Sequence, residues 1–168
     1  LVGVSFASGL ISLAMGESGK CGENLSWSMV PVDVGKGGTW LYITGNGDMY
    51  DYSNASEVPW MQYKNNIDGL QLSTEMTSIG DYAFVNFDKQ HVLSIPVPDG
   101  VTRIGKHSLE NVTSELSMPD SVVEIDSYAF AASSFNSSKL PAGLQFIGDY
   151  AFQGTGISSL TMPSGVTH

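Results

Sequence analysis

The chain has 168 residues, 42% of them apolar, which is enough for one domain with a buried core. Seventeen acids against seven bases give a net charge of −10. That balance excludes a nucleic-acid binder, which needs a basic face to displace counterions, and works against adsorption to anionic membranes. A single cysteine, Cys21, excludes an internal disulfide and a cysteine-rich metal cluster.

Residues 1–16 carry no basic residue and no acid. They are too few for a membrane span of ~20 residues. Their length fits the apolar core of a secretory signal peptide; the alternative is an apolar first strand or helix of the mature fold. Residues 1–20 are therefore expected to be a leader remnant. The chain does not begin with methionine and stops within a repeat, so it reads as a piece of a longer protein.

Residues 21–66 read as an N-terminal β cap. Leu25, Trp27 and Met29 alternate with serines, and Leu41 and Ile43 alternate with Tyr42 and Thr44. Two such runs around a Gly-rich turn at 34–38 predict a hairpin with those five apolar side chains inward. Trp27 and Trp60 are expected to pack inside the cap. Trp40 falls on the opposite parity and is expected to be an exposed aromatic. Asn46, Asp48 and Asp51 lack the glutamate that closes an EF-hand loop, so no metal is expected there.

From residue 67 a motif repeats. Ile-Gly-Asp-Tyr-Ala-Phe at 79–84 returns in altered form at 104–109 and 125–130 and unchanged at 147–152. Seven residues before each isoleucine stands Leu72, Val97, Met118 or Leu140, and proline follows in the last three, at Pro98, Pro119 and Pro141. Pro163 marks a fifth, truncated copy. A period of about 20–29 residues predicts a leucine-rich-repeat solenoid, an open right-handed coil of short strands, turns and short helices.

Within each repeat the apolar columns are Ile67, Val92, Thr113, Phe135 and Ile157; Leu70, Ile95, Leu116, Ser138 and Leu160; and Leu72, Val97, Met118, Leu140 and Met162. Ser138 is expected to leave a gap in its ladder. Proline ends the strand because it has no N–H to donate. Asp81, Ser127 and Asp149 stand where they could cap a short helix. Phe84, Leu109, Phe130 and Phe152 should fill the core. His107 occupies the column of Tyr82, Tyr128 and Tyr150, which favours packing over chemistry.

The motif resembles the BspA-type leucine-rich repeats of bacterial surface proteins, and residues 21–52 look like the cap that often precedes them. The resemblance implies a secreted or cell-surface protein whose repeats bind rather than catalyse. The implied partner is an extracellular or host protein or a glycan, with no cofactor, no nucleic acid and no membrane insertion of the mature domain.

The outward strand residues would form the concave binding face: Gln71, Ser94, Glu115, Ser117, Ser137, Lys139, Ser159 and Thr161. That face is small and polar and lacks the Trp, Tyr or Arg anchors usual at hot spots. The truncated edge at Leu160 and Met162 is expected to favour end-to-end self-association. His91, His107 and His168 sit beside no nucleophile at a recurring offset, so no catalytic site is expected. A spacer that presents another domain is the alternative role. Asn24, Asn54, Asn111 and Asn136 begin glycosylation sequons, which in a bacterial source are expected to be silent.

Overall fold

The computed structural model describes residues 17–33 and 37–167. The leader stretch 1–16, residues 34–36 of the expected turn at 34–38, and His168 lie outside the described residues. Three antiparallel strands open the fold: β1 (Ser18–Lys20), β2 (Leu25–Pro31) and β3 (Thr39–Gly45). Alternation sets the register, with Trp27 opposite Ile43 and Met29 opposite Leu41. All five residues expected inward are buried. Strand β1 pairs along β2, so the ordered sheet begins ahead of Cys21, within the first twenty residues.

The repeats supply β4 (Gly69–Gln71), β5 (Ser78–Ile79), β6 (Ser94–Pro96), β7 (Arg103–Ile104), β8 (Glu115–Ser117), β9 (Glu124–Ile125) and β10 (Phe146–Ile147). Strand β4 pairs parallel with β3, placing Leu70 beside Leu41. The cap therefore continues into the first coil as one sheet. Trp60 secures the same junction. It is fully buried, stacks on Phe84 at 5.9 Å and donates its indole N–H to Ala83 O at 2.8 Å. Two short 3-10 helices, Ala55–Glu57 and Met61–Asn66, flank it. Asn54 caps the first by accepting the Ser56 N–H.

Each coil has three sides. The first carries β4, β6 and β8. The second is a continuous parallel ladder in the order β5, β7, β9, β10, in which Ile79, Ile104, Ile125 and Ile147 stand in register. The glycine after the anchor is there for contact: a Cβ on Gly80 would lie 2.0 Å from Tyr50 O, and one on Gly148 2.3 Å from Ser127 N.

The third side differs from the expected short helix. Asp81, Ser127 and Asp149 cap nothing helical, because the residue that follows each stands in the left-handed region: Tyr82 at φ 61°, Tyr128 at 59° and Tyr150 at 59°, with His107 at 54° in the same column. An α-helix cannot pass through that conformation. Four residues on, the chain turns left-handed again at Asn86, Asn111, Ala132 and Gly154.

Between these points alternate N–H groups serve different partners. Ala83, Val85 and Phe87 bond back within the turn, to Gly80, Tyr82 and Phe84. Tyr82, Phe84 and Asn86 donate instead to Lys106, Ser108 and Glu110 of the next coil, each at 2.9 Å. The pattern recurs from His107, Leu109 and Asn111 to Ser127, Ala129 and Ala131, and again from Tyr128, Phe130 and Ala132 to Asp149, Ala151 and Gln153. The core lies inside these three sides, with Phe84, Leu109 and Phe130 fully buried.

Several core expectations shift, and Phe152, Ile157 and Leu160 are only half-buried. Thr113 is exposed, and its neighbours Val112 and Ser114 are buried instead, Ser114 donating its hydroxyl to Val92 O. Ser138 is also exposed and makes no internal gap. Met118 is half-buried and Met162 52% exposed, while Leu140 between them is buried, so the ladder of the seventh position before the anchor is uneven.

Ala132 is the one left-handed residue of its column that is neither Asn nor Gly. Ala132→Gly removes a Cβ penalty of about 1–2 kcal/mol, offset in part by chain entropy. A rise in unfolding free energy of about 0.5–1 kcal/mol is expected in urea titration; a loss would contradict the left-handed assignment.

Candidate functional site

The eight outward strand residues all lie exposed on the first side of the coils. Register brings some of them together: Ser94 stands beside Glu115, Ser117 beside Pro96, and Lys139 beside Thr161. Gln71 is set apart, on a strand that pairs with β3 and not with β6. The first side is thus interrupted between β4 and β6, while the second side is unbroken. Ser137 turns back on its own strand, donating its hydroxyl to Lys139 O at 2.9 Å.

Trp40 belongs to this side, one strand ahead of Gly69. It is half-buried rather than free, because its indole lies across Gly69. A Cβ at residue 69 would stand 2.2 Å from Trp40 Cε2, so only glycine lets the ring settle there. Beyond it, at the interruption, opens a cleft of about 200 Å³ reached by Asp68, Leu93 and Ser94.

No catalytic arrangement forms among the described residues. His91 Nδ1 lies 2.8 Å from Asp88 Oδ1, within one half-buried turn. That bond holds the Asp88 carboxyl below its usual range. His107 is sandwiched between Tyr82 and Tyr128, with ring centres 4.8 Å away on both sides, and bonds to Glu110. With Tyr150 stacked 5.0 Å beyond Tyr128, the column is a four-ring ladder along the third side. Cys21 is buried, and burial pushes its thiol up to about 12, which leaves it inert as a nucleophile.

The densest charge cluster lies elsewhere, where the cap meets the second side. Arg103 reaches Asp51 at 2.9 Å, Asp81 at 3.0 Å and Asp126 at 2.5 Å. The three carboxylates come from the cap and from the two coils on either side of the one that carries Arg103. Burial works to raise Asp51, but hydrogen bonds from Arg103 and the Asp81 N–H outweigh it and hold this carboxyl below its usual range. Burial, with the Asp51 charge added, lifts Asp81 above it. The cluster uses its groups on one another and serves as a staple. Asp48 is similarly spent, accepting the Thr77 hydroxyl at 2.6 Å. Sequence reasoning missed this staple. The only signal was an arginine before one anchor with acids one and two residues after the others.

The family model for the BspA-type leucine-rich repeat region matches residues 61–168, in six copies. No curated protein matches the chain. A crystal structure of a leucine-rich repeat protein from Eubacterium ventriosum superposes with a TM-score of 0.71 at 22% identity. That alignment covers 89% of this chain and 38% of the other, so the present chain spans well under half of that protein's length.

Replacing the staple's cation leaves three acids facing one another. Arg103→Met is expected to cost about 1–2 kcal/mol at neutral pH, less than a fully buried charge because water reaches the cluster. Without the arginine, Asp51 and Asp81 lose the charge that lowers them, and burial and mutual repulsion push both carboxyls up in the folded state. Such groups favour the fold at low pH, and that favour is lost as pH rises through the carboxylate range. The deficit against wild type should therefore shrink as pH falls below about 4. Thermal midpoints of both proteins across that range are the check, and a deficit that stays constant would contradict the staple.

Proposed function

Because the chain belongs to the BspA-type leucine-rich repeat family, we propose that it is a secreted or surface-displayed, non-catalytic binding module that captures an extracellular protein or glycan, in adhesion or a related role. The observation that carries this reading is the first side of the coils. It presents exposed side chains from successive strands at fixed spacing on a stiff frame. A repeat surface of that kind suits an extended partner, with many modest contacts instead of one hot spot. The acidic balance is consistent with solubility outside the cell.

A second reading is a spacer that holds another domain at a distance. It is favoured by the unbroken β5–β7–β9–β10 ladder, which gives the coil axial continuity. The two readings separate in one experiment. The chain is offered to an immobilised panel of matrix proteins, beside a Glu115→Lys, Lys139→Glu double variant. Both side chains are exposed, so the fold should survive the exchange. Saturable capture that drops at least tenfold in the variant supports the binding module. Capture that ignores the exchange removes this face as the site, and a blank panel favours the spacer.

A further inference from the structure

We propose that the interruption between β4 and β6 is a binding site for a single neutral sugar ring, stacked on Trp40. The proposal rests on the binding-module reading and names the ligand class for one end of that face.

Four observations carry it. Trp40 sits on the outward side, seated on Gly69 and half-buried, so part of the indole remains open to solvent. Across the interruption Leu93 is 73% exposed, the most exposed of the large apolar residues described. Asp68 stands at the mouth. Its Oδ2 accepts the Thr39 N–H at 2.9 Å, and Oδ1 has no protein partner among the described residues. Ser94 adds a hydroxyl on the far side.

A half-buried indole that lines the cleft, with a carboxylate oxygen and a hydroxyl around it, matches a ring that has apolar C–H faces and a rim of hydroxyls. The carboxylate accepts from sugar hydroxyls and repels acidic sugars, which selects neutral ones. The cleft, at about 200 Å³, is smaller than the ~300–1,000 Å³ of sites for drug-sized ligands. It takes one ring and not a chain segment. A protein knob is less well served, since the surrounding face is small and polar and supplies no apolar collar to exclude water.

Trp27 and Trp60 are 7% and 0% exposed, so ligand-induced changes in tryptophan emission report on Trp40. The test titrates the chain with the methyl glycosides of glucose, galactose, mannose and N-acetylglucosamine, and with glucuronate as the acidic control. The expected result is a saturable change with at least one neutral glycoside, at a Kd on the order of 1 mM, and none with glucuronate. Leu93→Glu places a charge in the cleft at a position already open to water, so folding is unaffected and the response should vanish. Gly69→Ala displaces the indole and should weaken binding roughly tenfold or more. The proposal is overturned by no response to any neutral glycoside, by a response that survives Leu93→Glu, or by an equal response to glucuronate. Matrix-protein capture that depends on Glu115 and Lys139 in the absence of any glycoside response would sink this site alone. Absence of both would sink the binding-module reading as well.

Discussion

Each coil of this solenoid has to hand part of its backbone hydrogen bonding to the next. An unpaired buried N–H or C=O costs about as much as a lost hydrogen bond, and the short strands alone do not carry all of these groups. The third side solves the problem by alternation. In the first coil Ala83 and Val85 close tight turns, while Tyr82, Phe84 and Asn86 reach across. Alternation of this kind needs left-handed residues at both ends of the segment, and the chain places them four apart in each of four coils. The stacked rings of Tyr82, His107, Tyr128 and Tyr150 help hold the strained ends of these segments in line.

The remaining features follow from that stacking. A stacked coil exposes its first apolar face unless something covers it. The β1–β3 sheet covers it by joining β4 edge to edge, and Trp60 fixes the joint by both stacking and hydrogen bonding. Arg103 adds an ionic tie between cap and coils. With the second and third sides carrying the continuous ladders, the first side can be interrupted without loss of the axis. It is there, between β4 and β6, that Trp40, Asp68 and Leu93 come together.

Much of the fold was legible because burial writes a period into the sequence. The isoleucine anchors and the parity of Leu25, Trp27, Met29, Leu41 and Ile43 reflect side chains that must point inward, and Pro98, Pro119 and Pro141 mark where strand pairing ends. The turn geometry was harder to read. Tyrosine carries no left-handed signal, and the Asp-Tyr-Ala-Phe order imitates a capped helix. The clue lay four residues later, where Asn86, Asn111 and Gly154 are residues that tolerate positive φ. Thr113 was misplaced because the inward position slips by one to Val112, which the offsets do not reveal. Of the candidate site, parity alone placed Trp40 outward. Its seat on Gly69 and its nearness to Leu93 depend on which strands pair, and strand pairing between coils is not encoded at any one position.

Amide hydrogen exchange, read residue by residue, tests the coil-to-coil hand-off most directly. The account expects the Phe84, Leu109 and Phe130 amides, which donate across coils, to be strongly protected and to lose protection together as denaturant rises. Exchange of these three amides as fast as that of exposed Asp99 would contradict it.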